Sequence, residues 1–282
     1  NMLELSLWLI ISIGVIAFFC EYMDSTLGMG YGTTLTPVLM LFGFSPIQIV
    51  PSVLLSELIS GVLAGILHHR EGNVNFKPKT TNISVIWKKL NSLGYVESYR
   101  RGIPLHLKVV FTLVFASVIG TVSAVFTARI LPKFWVQLYI ALLVIAMGII
   151  ILICLNKEFR FSWLKIFGLG SIASFNKGLT GGGYGPLIVS GQVLSGIEGK
   201  SAVGTTSLAE GLTCLIGVIT YILTAKNSID WRLAPIIITG AILSVPLSAK
   251  SVKKISSRKL KLIIGVFTIV LGIVTLIKIL KK

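Results

Sequence analysis

The chain has 282 residues, of which 54% are hydrophobic and 13% charged, with a mean hydropathy of +0.90. Soluble domains carry about 25% charged residues, and a soluble core of this size could not hide so much apolar surface, so the composition excludes a soluble enzyme. The net charge of +16 does not indicate nucleic acid, because Lys and Arg fall in the short segments between apolar runs, as membrane orientation and anionic headgroups require.

A helix needs about 20 apolar residues to cross a ~30 Å hydrocarbon layer. Runs near that length lie at 3–23, 49–67, 105–128, 134–155, 201–223, 232–250 and 262–280. The shorter run 162–176 completes a set of eight long helices. Two further pieces, 33–44 and 186–196, are too short to cross alone, and each follows a glycine cluster. The first run has no basic segment before it and no small-residue cleavage site after it, so it is expected as a retained helix. Trp135, Trp163 and Trp231 open their helices at interfacial depth. Between His68 and Pro104 the chain is polar and carries Arg70, Lys77, Lys79, Lys88, Lys89, Arg100 and Arg101, which predicts a cytoplasmic loop.

Cys20, Cys154 and Cys214 all lie in apolar runs and read as small packing residues. His68 and His69, beside Arg70, read as an interfacial helix end. No His/Cys/carboxylate spacing fits a metal centre, and GGGYGP lacks the Lys-Ser/Thr of a P-loop, so no cofactor is expected.

Self-similarity is the most informative feature. A shift of 153 residues lays GMGYG at 28–32 on GGGYG at 181–185, Glu57 on Glu210 and Asp24 on Lys177. The fold expected is all-α, a polytopic membrane protein with eight long helices and two short glycine-led segments in two homologous repeats. The first covers 1–155, with a basic insertion at about 77–104, and the second covers 156–282. Glycine-interrupted segments at the same place in duplicated halves are the pattern of a secondary transporter, with its site near the repeat interface. The plainer alternative is a duplicated bundle whose glycines only permit close helix packing.

The stretches LGMGYGTTLTPVL at 27–39, VPSVLLSELISG at 50–61, NKGLTGGGYGP at 176–186, AVGTTSLAEG at 202–211 and HHREGNVNF at 68–76 carry a resemblance. Through them the chain resembles the TauE/SafE family of sulfite and organosulfonate permeases. The resemblance implies a carrier of small sulfur oxyanions or sulfonates, such as sulfite or sulfoacetate, and leaves substrate and direction open.

The residues themselves suggest how an anion could be held. Half-helices starting at the glycine clusters would present unpaired N–H groups and positive dipole ends. Candidate substrate-binding residues are Gly28, Met29, Gly30, Tyr31, Gly32, Asn176, Lys177, Gly181, Gly182, Gly183, Tyr184 and Gly185, with Ser52, Ser56, Thr205 and Thr206 beside them. Glu57 and Glu210 are ionisable groups inside apolar runs, which are costly and usually functional. Each either carries a coupling proton or braces the broken segment. Asp24, a further proton-coupling or structural candidate, either pairs with Lys177 or leaves Lys177 to face the anion.

Counting the short segments as crossings gives five per repeat and inverted repeats, with 18 of the 26 basic residues on one side. Re-entrant short segments would give 16 against 10, so the charge rule favours inversion, with both termini outside. Two rival readings remain: a cation or metal carrier using Asp24, Glu57 and Glu210, and a membrane scaffold or enzyme. Expected partners are a small anion and the lipid bilayer, with no nucleic acid. A homo-oligomer is left open.

Overall fold

A computed structural model describes residues 6–78, 102–153, 162–194, 197–224, 229–252 and 257–281. Residues 79–101 of the basic loop, Cys154, Lys157, Arg160 and the boundary expected at 155 to 156 lie outside the described residues. The helices in chain order are α1 (Leu7–Leu27), α2 (Tyr31–Leu41), α3 (Pro46–Arg70), α4 (Leu105–Ile130) and α5 (Lys133–Ile153). They continue with α6 (Trp163–Thr180), α7 (Gly185–Leu194), α8 (Gly199–Thr224), α9 (Ala234–Ser251) and α10 (Ser257–Leu280). Among the described residues eight are long and two short, and α1, α3, α4, α5, α8 and α9 are long and apolar enough to cross a membrane. The chain is a polytopic helical membrane protein.

The two short helices have 11 and 10 residues. At 1.5 Å per residue each is about 15–17 Å long, half of the hydrocarbon layer. Outward-facing apolar side chains coat the bundle, among them Trp8 at 80% exposure and Leu164 at 82%. In water such a surface would aggregate; in lipid it is the solvated one.

Local chemistry sets the helix ends. The Gln48 side chain accepts from both the backbone N–H and the hydroxyl of Ser45, which starts α3. Both α1 and α6 stop on a glycine in the left-handed region, Gly28 at φ 69° and Gly181 at φ 77°. In each the glycine N–H returns to the carbonyl four residues earlier, that of Asp24 at 2.5 Å and that of Lys177 at 2.8 Å.

Packing brings α1 against α9, α6 against α4, α3 against α8 and α5 against α10. One apolar core gathers Tyr31, Leu35 and Leu39 of α2 with α1, α3, α5 and α9. A second gathers Tyr184, just before α7, and Ile188 and Val189 of α7 with α4, α6 and α8. The two short helices are therefore enclosed by protein, where a broken backbone can be satisfied without water.

Candidate functional site

The glycine clusters that precede α2 and α7 meet backbone to backbone. A methyl group on Gly32 would overlap the Gly181 carbonyl, and one on Gly185 would overlap the Gly28 carbonyl. Gly32 and Gly185 are 153 positions apart, as are Gly28 and Gly181, so the two contacts exchange under the same shift that aligns the sequence. Met29 lies at this crossing, its Cα against Gly185, and Gly182 faces the Thr33 backbone. The Thr33 hydroxyl accepts the Gly183 N–H at 3.0 Å. Thr180 does the same for Gly182 at 3.1 Å. Gly30, at φ 132°, precedes the first residue of α2.

Beside the crossing lies a charged cluster. The Lys177 ammonium, 0% exposed, contacts Glu57 and Glu210, the latter at 2.8 Å. Asp24, Glu57 and Glu210 each place a carboxylate oxygen within 4.8 Å of the others. The Asp24 carboxylate accepts the Tyr31 N–H at 3.2 Å and so caps the N-terminus of α2. Lys177 forms no ion pair with Asp24 among the described residues; both glutamates hold its ammonium. Burying charges costs several kcal/mol per ion unless they are paired, and α3, α6 and α8 meet the condition together.

The remaining predicted residues divide by what they touch. Tyr31 and Ser56 share a hydrogen bond of 2.7 Å between their hydroxyls. Tyr184 is fully buried with its hydroxyl beside Thr213. Asn176 takes the Tyr139 hydroxyl at 2.6 Å, and Thr206 takes the Gln192 amide at 2.8 Å. The buried hydroxyl of Thr205 has no hydrogen-bond partner among the described residues, and the same holds for the hydroxyls of Thr34 and Thr36. Ser52 is occupied elsewhere: it bonds the Gln48 carbonyl and receives the Asp230 N–H at 3.1 Å.

Sequence reasoning missed Glu21, 1% exposed on α1, whose carboxylate takes the Ser25 hydroxyl at 2.6 Å. The signal was present, a carboxylate within an apolar run, but its counterpart 153 residues on is Ser174, so the repeat did not mark it. His68 is likewise no interfacial cap. It is fully buried, with Nε2 on the Ser25 carbonyl at 2.7 Å and Nδ1 on the Asn73 amide at 2.9 Å.

Comparison with known proteins agrees with this architecture. The sulfite exporter TauE/SafE family matches residues 13–86 and 80–275. A relative described as probable membrane transporter protein YtnM, from Bacillus subtilis (strain 168), is 26% identical over 275 residues. That alignment covers 93% of this chain and 81% of the relative. No solved structure matches. With its enclosed half-helices, lipid-facing surface and family match over most of its length, the chain belongs to the TauE/SafE sulfite exporter family and is a multi-pass transporter of the cell membrane.

Proposed function

We propose that the chain carries a small sulfur oxyanion or sulfonate, coupled to proton movement, through a site at the glycine crossing. The observation that carries this reading is the Lys177 cluster standing beside two helix N-termini. Two positive groups there are already matched by internal anions. Glu57 and Glu210 hold Lys177, and Asp24 holds the first N–H of α2. A substrate anion must therefore displace a carboxylate. Protonation of that carboxylate frees a donor for the anion and leaves the local charge balanced, which ties the proton to the substrate. Thr36 and Thr205 supply buried hydroxyls with hydrogen-bonding capacity to spare.

Access is supported by a cavity of about 340 Å³ between the start of α3 and the α4–α5 turn. Arg129 and Lys133 stand among its lining residues, and Leu179 and Tyr221 line its buried part, Leu179 two residues before Gly181. A basic mouth concentrates anions by electrostatic focusing.

We read the architecture as two inverted repeats of five helices, which suits alternating access around a fixed midplane site. Its support is the paired contacts: α1 on α9 answers α6 on α4, and the Gly32 contact answers that of Gly185.

A cation carrier is the second reading, favoured by the convergence of Asp24, Glu57 and Glu210. Against it, the Lys177 ammonium already sits among these carboxylates as a tethered cation. Thermal stabilisation of the purified protein separates the two, since a ligand that binds the folded state raises its stability by mass action. Sulfite, thiosulfate, sulfate, sulfoacetate and divalent cations form the panel. A shift with a sulfur anion, lost in Gly182→Val and Lys177→Ala, supports the anion site. A shift with divalent cations alone, lost in Glu57→Gln, overturns it.

A further inference from the structure

The long helices α3 and α8 pair antiparallel through small residues. A methyl group on Gly65 would press on Leu208, one on Gly61 on Gly211, and one on Gly217 on Leu54. The end of α3 therefore lies beside the start of α8, and the end of α8 beside the start of α3. At each end, the chain leaving one helix is tied back onto the first turns of the other. Past α3, the Asn73 carbonyl accepts the Ser201 hydroxyl of α8 at 3.1 Å, and the Asn73 amide reaches the Ala249 carbonyl of α9 at 2.9 Å. Val74 covers Gly204 so closely that a methyl group there would overlap it. Past α8, the Asp230 N–H donates to the Ser52 hydroxyl of α3 at 3.1 Å, and Gln48 Nε2 donates to the Asp230 carboxylate at 3.3 Å. Ile229 before it is buried in one cluster with Val50 and Leu54.

The two fastenings correspond. Ser201 lies 153 residues after Gln48, and with a slip of two residues Ile229 answers Val74. Gln48 stands nine residues before Glu57 and Ser201 nine before Glu210, about 14 Å along each helix at 1.5 Å per residue. The Lys177 cluster, held by these two glutamates, thus sits midway between fastenings about 28 Å apart, close to the depth of the hydrocarbon layer.

We infer that the Asn73 and Asp230 fastenings are the two gates of the transport path, one on each membrane face, and that opening one while the other holds exposes the Lys177 cluster to one side alone. The inference rests on the reading of a central transport site above and assigns what closes it. Both gates are shut in this structure. They differ in thickness. Asn73, Val74 and Ser201 are buried, whereas Gln48 is exposed and Asp230 half-buried. The cavity of about 340 Å³ also lies at the Asp230 end, lined there by Ser45, Pro46 and Val50. The basic run from Arg70 to Arg101 continues from the Asn73 loop, so the charge rule puts that gate on the cytoplasmic face and the Asp230 gate outside. Each gate joins α3 to α8 through a few hydrogen bonds and one apolar side chain, a closure weak enough for a bound substrate to bias.

Cys214 is a native reporter, its buried thiol 3.9 Å from the Glu57 carboxylate. A charged, membrane-impermeant reagent reaches it only through an open gate. The test follows its modification by 2-sulfonatoethyl methanethiosulfonate in right-side-out and inside-out vesicles, using the full chain with Cys20→Ala and Cys154→Ala. Ser52→Ala and Asp230→Asn loosen the outer gate, and the asparagine oxygen still takes the Arg232 and Leu233 N–H groups ahead of α9. Each should speed labelling from outside, and not from inside, by roughly three- to tenfold, the population shift that follows loss of one hydrogen bond. Ser201→Ala and Asn73→Ala should speed it from inside only. Rates that rise equally on both faces, as general loosening would produce, or that stay at the wild-type value in all four variants overturn the gates. Sulfoacetate added before the reagent tests the anion reading separately. Protection of Cys214 by sulfoacetate beside labelling without sidedness overturns the gates and leaves the anion reading standing. Sided labelling without that protection supports the gates and counts against the anion reading.

Discussion

Asp24 and Lys177 occupy the same backbone position, each giving its carbonyl to the glycine that closes its helix, yet their side chains carry opposite charges to different partners. Asp24 turns to the N-terminus of α2, and Lys177 turns to Glu57 and Glu210. One shared geometry therefore yields an anionic cap in the first half and a buried cation in the second. This asymmetry gives the centre of the protein a directional charge pattern that exact duplication would lack.

If Asp24 competes with substrate for the α2 N-terminus, Asp24→Asn should bind the anion more tightly. The amide oxygen still accepts the Tyr31 N–H, but it leaves without the cost of stranding a charge. We expect about tenfold tighter binding, equivalent to roughly 1.4 kcal/mol, and a weaker dependence of uptake on the proton gradient. Equilibrium binding of thiosulfate to the purified variant checks the first part; unchanged or weaker affinity refutes the competition.

Removing the ammonium exposes the cost of three converging carboxylates. Lys177→Met should destabilise the protein by about 3–5 kcal/mol, the scale for breaking a buried pair from one side. Adding Glu57→Gln and Glu210→Gln to the same chain should recover most of that loss, since the uncompensated charges go with it. Thermal unfolding in detergent reads both; absence of recovery would mean that Lys177 acts through packing.

The glycine crossing predicts a sharp positional contrast. Gly32→Ala and Gly185→Ala place a methyl group on a facing carbonyl and should cost at least about 1–3 kcal/mol, the usual range for overpacking. Gly199→Ala meets nothing within 4 Å and should stay within about 0.5 kcal/mol of wild type. Yield of monodisperse protein and its unfolding temperature distinguish them.

Thr205 offers the opposite sign for stability and binding. Its buried hydroxyl has no partner among the described residues, and leaving such a group unsatisfied costs about 1–3 kcal/mol. Thr205→Val keeps the shape, so the variant should be more stable than wild type while binding the anion less tightly. A variant gaining stability with unchanged affinity would remove Thr205 from the site.

Much of this was legible in the chain. Apolar run length marked the eight long helices among the described residues because a bilayer demands ~20 apolar residues for a crossing. The observed α3 at Pro46–Arg70 and α8 at Gly199–Thr224 extend the runs 49–67 and 201–223 by one to three residues at each end. Those turns are polar or capped, so hydropathy does not see them. Glycine clusters ahead of short apolar pieces marked α2 and α7, and a glutamate repeated inside two apolar runs marked Glu57 and Glu210.

What hydropathy and repetition could not give was the partner of each polar group. Glu21 and His68 escaped notice because their counterparts, Ser174 and Tyr221, differ in chemistry, and Ser52 resembled a site residue although it bonds Asp230. The sequence by itself determined the solvent, the helices, the two interruptions and the family, since each follows from local composition or a motif along the chain. Only the tertiary structure decided that Lys177 lies between Glu57 and Glu210, that Gly32 meets Gly181, and that His68 faces Ser25. Those choices depend on how α3, α6 and α8 cross and which rotamers the crossing admits, a balance of packing and desolvation spread over residues far apart in the chain.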